Sequence, residues 1–517
     1  MTDRLDEDPG APQAVLSQLF KNSAIGLVCR IISAGLALCV VPFMISHVGV
    51  AGFGMWETIV SLVSILYFMQ SVMSGTLLWW MSHAYGKGDV VALQRASGIG
   101  LTYICVVALV AIPAAYLARE ALLPLFQAPP AERDEIARIL PVFVTVYALG
   151  GGTEILAALA GASQRMGQAL IVQTLARLGQ YTIACTGLVA GYGLRSMVAG
   201  HIVGNVICGL LLARFLRRLY PTLHFFPLLP TQSEIMALYR YVGFMTIGSV
   251  ATVVREQSDK LILAAFASPV WVGYYAIATR LAALLLDFHR FFYPHFLTAS
   301  GALAARDDWD GLRRLYLRVT NSVAICTGIM YILIIGGYDR LLVAWLGSSP
   351  PEVSSILFLL VLANSASVLL TGPALALCRG IGRVRTETTY LLASLGLNLA
   401  GTILLVSLIG PMGTVYATAG TSLVCGILFA WQFHRNIPVP VEGLRHAVYA
   451  YSIAMLIAGM VRAFFMFFPA PADRSAALVS FAAVVLPACM LYMAALVRAG
   501  LVKKDAIRGF VTKGAGR

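Results

Sequence analysis

Charge is what this 517-residue chain has least of: Asp, Glu, Lys and Arg make up 12% of it, against 59% apolar residues. A soluble domain of that composition exposes apolar patches far larger than a monomer tolerates, so a soluble enzyme or regulator is excluded. Also missing is a Gly-x-x-x-x-Gly-Lys-Ser/Thr run, which removes ATP hydrolysis, and any nucleophile-base or metal-ligand spacing. Cysteine is sparse. All nine, Cys29, Cys105, Cys208 and Cys425 among them, fall within apolar spans or at their ends, which suggests small core residues rather than disulfides or a zinc site. Basic residues outnumber acidic ones, 37 to 24, yet they are spread over many loops without interleaved stacking aromatics, so nucleic acid is not an expected partner.

What is present is a procession of membrane-length apolar runs. At roughly twenty apolar residues per helical crossing, about fourteen spans are predicted. Six begin near Asn22, Phe53, Ile99, Ile139, Gln168 and Leu194, and six near Tyr239, Val270, Leu317, Val353, Thr388 and Met412. An extra pair begins near Ala447 and Ala476. The runs do not alternate polar and apolar residues as barrel strands do, so the expected fold class is an all-α membrane protein. Lys and Arg concentrate on one set of loops, with Lys87, Arg95, Arg165, Arg217, Arg313, Arg383 and Lys503 among them. Basic loops stay inside, which predicts a multi-pass bacterial inner-membrane protein with both termini cytoplasmic. The acidic N-terminus, Asp3 to Asp8, does not read as a cleavable signal.

An internal repeat organises these spans. Val50-Ala-Gly-Phe-Gly-Met-Trp56 realigns with Pro269-Val-Trp-Val-Gly-Tyr-Tyr275 at an offset of 219 residues, and at the same offset Gly88-Asp-Val-Val-Ala-Leu-Gln-Arg95 meets Asp307-Asp-Trp-Asp-Gly-Leu-Arg-Arg314. A repeat embedded in a membrane points to a transporter, and six spans per half make the two copies parallel lobes. The expected organisation is a cytoplasmic tail (1–21), an N-lobe (22–216), a proline-marked cytoplasmic linker (217–237) long enough to let two lobes rock, a C-lobe (238–436), the extra helix pair (437–497) and a cytoplasmic tail (498–517). Pro42, Gly150-Gly-Gly152, Pro294 and Pro373 are hinge candidates, with packing as the alternative.

An ionisable side chain at the bilayer centre costs at least about 2.5 to 3.5 kcal/mol, so each one calls for a partner, water or a task. The seventh span carries Arg255, Glu256, Asp259 and Lys260, and a spacing of four sets Arg255 over Asp259 and Glu256 over Lys260. The eighth carries Arg280 close to mid-membrane, then Asp287, His289 and Arg290. The first half holds Arg30, near enough to its helix start to snorkel, and Glu57, Glu154 and Arg177. Glu154 and Arg177 share a depth on neighbouring helices, where a structural ion pair is the alternative to a site. Guanidinium forks suit phosphate oxygens, so a wet cleft with several cations at mid-depth attracts an anionic headgroup.

The Gly-aromatic turn Gly52-Phe-Gly-Met-Trp56, the stretch Ser258-Asp-Lys-Leu-Ile-Leu-Ala-Ala-Phe266, then Val272-Gly-Tyr-Tyr-Ala-Ile-Ala278 and the basic loop 305–318 form a familiar series. Over roughly residues 20 to 436 the chain resembles the polysaccharide-flippase (Wzx-like) branch of the multidrug/oligosaccharidyl-lipid/polysaccharide exporter superfamily. The resemblance implies two six-helix lobes around a cationic cavity, which take in an undecaprenyl-pyrophosphate-linked oligosaccharide by its headgroup and move it by alternating access. It implies Arg30, Arg255, Lys260, Arg280 and Arg290 as substrate contacts, and a lipid-linked anionic oligosaccharide, membrane lipid and other polysaccharide-assembly proteins as partners. Glu154, Glu256 and Asp259 are the ion-coupling candidates; the coupling ion, Na+ or H+, is open, and no other cofactor is expected. Two further readings share the fold: a drug/cation antiporter using Glu57 and Glu154, and a lipid II-type flippase, suggested by the extra helix pair. A polymerase or ligase is disfavoured, because the largest external connection, 119–138, is too short for a folded domain.

Overall fold

In hydrocarbon every backbone N–H and C=O must be paired within the protein, in helices or closed barrels, and long apolar runs without barrel alternation fold as helices. The computed structural model describes residues 12–122, 130–290 and 293–501, which leaves most of both predicted tails outside the described residues. Among the described residues there are fifteen helices and no strand. They are α1 (Pro12–Gly86), α2 (Val90–Leu122), α3 (Pro130–Ala162), α4 (Met166–Val189), α5 (Arg195–Leu219), α6 (Gln232–Phe266), α7 (Pro269–Arg290), α8 (Tyr293–Ala304), α9 (Trp309–Ile335), α10 (Tyr338–Leu346), α11 (Pro351–Gly380), α12 (Val384–Ile409), α13 (Met412–Asn436), α14 (Glu442–Met466) and α15 (Arg474–Arg498).

Eleven of these are long and apolar enough to cross a membrane. The 75-residue α1 is two membrane lengths, divided at Gly49, whose φ of 71° is left-handed territory that side-chain-bearing residues rarely adopt. Helices α4 and α6 are long enough but carry polar and charged residues. With α1 counted as two and these two included, the described residues hold the fourteen predicted spans. The break in α1 falls at Gly49 rather than Pro42, and α3 and α11 run on through Gly150–Gly152 and Pro373. Gly150 and Gly151 make room instead: a Cβ there would meet Asn205 of α5 and Gln70 of α1 respectively. Packing, not hinging, explains that run.

Contacts divide the chain into two units, Met1–Gly273 and Tyr274–Arg517. In the first, α1 lies against α3, α4 and α6, α2 against α3, and α4 against α5. Leu77, Met81, Leu93, Ile155, Leu159 and Leu212 form its core. Between helices already in lipid such a core is held by close packing, since no water is expelled when they meet. Helix α6, which the repeat assigns to the second half, makes its contacts here with α1, so sequence duplication and packing divide the chain differently.

The connection into α6 is tied down. Leu228 donates its N–H to the Gly98 carbonyl at 3.0 Å and accepts from the Thr102 hydroxyl at 2.8 Å, while Leu223 is buried. Thr231 and Glu234 then form a capping box that starts α6. Glu234 also receives the Arg95 guanidinium of α2, with Nη2 to Oε2 at 2.9 Å. That charge-assisted bond and the capping bonds from Thr231 hold the Glu234 carboxyl down at about 2.

The two repeat landmarks meet within this unit. A Cβ on Gly54 would lie 1.8 Å from the Pro269 carbonyl oxygen, and one on Gly273 would lie 2.5 Å from that of Val50. Gly54 and Gly273 are equivalent at the 219-residue offset, as are Val50 and Pro269. The contact is therefore reciprocal, each glycine seating the carbonyl of the other copy's landmark, as across a local two-fold axis.

In the second unit α9 packs on α14, α13 on α11 and α12, and α10 on α15, and Phe296, Leu312, Leu377, Phe429 and Phe433 form a core between α8, α9, α11 and α13. The extra helix pair is built into this unit. Arg340 of α10, 4% exposed, stacks 3.6 Å over the Phe465 ring of α14 and donates to the Phe468 carbonyl and to Ser480 of α15. Arg462 of α14 bridges Asp339.

Candidate functional site

Polar residues recur at helical spacing on three neighbouring helices of the first unit. Tyr147, Gly150 and Glu154 lie along α3; Gln173, Arg177, Gln180 and Tyr181 along α4; His201, Asn205 and Cys208 along α5. Steps of three and four place each set on one stripe. Together with Ser33, Ala37, Tyr67 and Gln70 from the two halves of α1, these stripes line one cavity of about 440 Å³.

Its walls are fixed by hydrogen bonds. Gln70 donates from Nε2 to the carbonyls of Tyr147 and Ala148 at 3.2 and 3.0 Å, and its Oε1 is buried with no hydrogen-bond partner among the described residues. The Nδ1 of His201 lies 2.9 Å from the Met197 carbonyl, which can only accept, so Nδ1 carries the proton and Nε2 accepts from Gln180 at 3.1 Å. Trp56, Phe143 and Tyr147 surround that imidazole, with ring centroids 5.0 to 5.8 Å away. The imidazole is thereby held in one orientation as part of the wall.

Two charges face this space, Glu154 from α3 and Arg177 from the middle of α4. Among the described residues no salt bridge joins them. A guanidinium and a carboxylate that line one cavity with no salt bridge between them leave both forks open to a ligand: Arg177 can take phosphate or carboxylate oxygens, and Glu154 can take a proton, a cation or a sugar hydroxyl.

The residues singled out from sequence are placed as follows. Arg30 is exposed on the same stripe of α1 as Ser33 and Ala37, up to two turns from the cavity lining. Lys260 is ion-paired: its Nζ donates to Glu57 Oε2 at 2.7 Å, with the two side chains 14% and 1% exposed. Arg255 is half-buried on α6, Asp259 is 3% exposed, and Glu256 is exposed. Arg280 is half-buried on α7 in the second unit, whereas the side chains of Asp287, His289 and Arg290 lie outside the described residues. The structure brings Glu154 and Arg177 together in one cavity, and Arg255 and Lys260 do not line it. Tyr67, Gln70, Tyr147, Gln180, His201 and Asn205 were not selected from the sequence. The signal was present, as polar residues repeating every three to four positions inside apolar spans.

Fourteen membrane lengths and a polar cavity holding opposite charges at membrane depth define a multi-pass membrane protein built as a transporter. Among solved structures the chain is similar to the lipid II flippase MurJ in an inward closed conformation, with a TM-score of 0.70, 11% identity, and coverage of 93% of this chain and 100% of that one. It is similar to an inward-facing multidrug resistance MATE family transporter of the MOP superfamily (TM-score 0.61, 12% identity, 81% of this chain and 99% of that one). It is also similar to a MOP superfamily transporter from Pyrococcus furiosus described by the reverse polarity of its binding pocket (TM-score 0.57, 13% identity, 84% and 97%). At such identities these likenesses establish the fold. A search of curated protein sequences gives no match. The profile of the polysaccharide biosynthesis protein family matches residues 19–291, more than half of the chain, and the chain belongs to that family. Family and fold agree with the resemblance read from the sequence.

Proposed function

We propose that this protein moves an anionic lipid-linked oligosaccharide, carried on undecaprenyl pyrophosphate, across the bacterial inner membrane by alternating access, with both termini in the cytoplasm. The observation that carries this is the first-unit cavity, where Arg177 stands halfway along α4, with no salt-bridge partner among the described residues, beside amides and phenols suited to sugar hydroxyls. Membership of the polysaccharide biosynthesis family supports the substrate class. Arg30, Arg255, Arg280 and Arg290 are proposed as further headgroup contacts, and Lys260 joins them when its bond to Glu57 opens. Other polysaccharide-assembly proteins are the expected partners.

Glu154 in the same cavity favours ion coupling, by Na+ or H+, and also keeps the reading of a drug/cation antiporter in play. Glu256 and Asp259 are the other coupling candidates. Cells carrying only Arg177→Gln or Glu154→Gln protein separate the two functions. A flippase predicts that Arg177→Gln causes undecaprenyl-linked oligosaccharide to build up on the cytoplasmic face. An antiporter predicts no build-up in either strain and loss of organic-cation export with Glu154→Gln.

A further inference from the structure

A second cavity lies in the second unit, where α11, α13 and the start of α14 leave a pocket of about 650 Å³. Its walls are Leu370 from α11, Ile427, Ala430 and Trp431 from α13, Val441 just before α14, and Leu444 in its first turn. His434 and Arg435 in the last turn of α13 complete the lining. The pocket is thus apolar along its length and basic at one end.

The two basic residues differ in freedom. The His434 ring faces the Tyr316 hydroxyl and the Val439 carbonyl, each at 3.4 Å, and belongs to the wall. Arg435 is exposed, with its guanidinium 5.3 Å from the centre of the Trp431 ring. Arg445 follows on α14, also exposed, and Glu442 is the carboxylate in that first turn. Trp431 is 61% exposed, and Leu423, Val424, Ile427 and Leu428 continue its apolar face along α13. A tryptophan beside an arginine at the end of such a stripe marks the level where hydrocarbon gives way to headgroups.

We propose that this pocket binds an anionic membrane phospholipid, its acyl chain against Ile427, Ala430, Trp431 and Leu444 and its phosphate on Arg435. Charge complementarity selects this occupant: the apolar walls accept a hydrocarbon chain, and the exposed guanidinium meets one phosphate where that chain ends. A glycan-bearing carrier needs polar walls for its sugars, and this lining offers only His434 and Arg435. Nothing in this assignment depends on what the chain translocates.

The test is lipid retention by the purified full-length protein, read by native mass spectrometry after exchange from bicelles of phosphatidylglycerol or phosphatidylcholine. Wild-type protein is expected to keep phosphatidylglycerol in preference, and Arg435→Gln to lower that preference about five-fold, the effect of one basic residue at a membrane surface. Arg435→Lys is expected to keep most of it. Ile427→Trp, at a half-exposed position that narrows the mouth, is expected to reduce retention of both lipids. Equal retention of the two lipids by wild type, or an unchanged preference in Arg435→Gln, overturns the assignment. So does full displacement of the phospholipid by inorganic phosphate, which marks a bare anion site, or by equimolar undecaprenyl phosphate, which marks a carrier site. Melting temperatures in phosphatidylcholine check folding, and Arg435→Gln, altered at an exposed side chain, decides the matter if Ile427→Trp fails that check.

Discussion

Glu57 and Lys260 show how far a residue's type can be read and its partner cannot. Intramembrane charges stand out in any apolar run, and spacing alone set Lys260 over Glu256, one turn away. Lys260 bonds instead to Glu57, 203 positions distant. Chain-distant pairing of this kind is decided by which helices pack, and a single sequence does not contain that. Removing one member of a buried pair strands the other, so Lys260→Met is expected to cost about 3–5 kcal/mol of stability, measured by thermal unfolding in detergent. The double variant Glu57→Leu/Lys260→Met is expected to recover most of it, and additive losses contradict the pair. At the membrane surface Glu234 gives a pH signature. Its folded pKa, about 2, is depressed from 4.5, so its contribution is present above the unfolded value and disappears as pH falls from about 4.5 through about 2. Arg95→Gln removes the cause. Its melting temperature is expected to lie below wild type near neutral pH and to converge with it as the solution is acidified through that window.

Among the helices, the repeat was the most legible feature and its meaning the least. The alignment of Gly54 with Gly273 follows from the letters; that the two landmarks pack on one another follows only from the fold. Gly54→Ala places a methyl against a backbone carbonyl that cannot rotate away, so a loss at or above the 1–3 kcal/mol of ordinary overpacking, about 3 kcal/mol, is expected. Gly35→Ala, at a site with no neighbouring atom within 4 Å, is the matched control and should be silent in both stability and glycan export. Comparable behaviour of the two variants removes the reciprocal contact from consideration. Helix α4 was readable as a span, yet its row of Gln173, Arg177 and Gln180 drew attention only at the charge. Neutral amides look like tolerated surface polarity until a cavity is found beside them. The linker carries a similar lesson. Its prolines and arginines marked a connection, whereas Leu228 is tied to α2 through its own backbone N–H and C=O, groups that every non-proline residue has.

Across the whole molecule, hydropathy was sufficient for the fold class, because helices are the answer lipid allows to long apolar runs. Fourteen membrane lengths, the extra pair included, were countable from the sequence. The grouping of those lengths was not: the sequence repeat assigns α6 to the second half, whereas contacts place it in the first unit. The cavity was half legible, since Glu154 and Arg177 were noticed as a pair while the aromatic and amide walls that line the space with them were not. Function at this scale comes down to whether Arg177 draws an anionic headgroup through the membrane. The most direct measurement is transfer of a fluorescent undecaprenyl-pyrophosphate oligosaccharide between leaflets of proteoliposomes holding the purified protein. Wild type is expected to move the lipid, and Arg177→Gln to slow it by at least about ten-fold, the worth of one charge-assisted hydrogen bond. No transfer by wild type above empty vesicles, or equal transfer by the variant, contradicts the central claim.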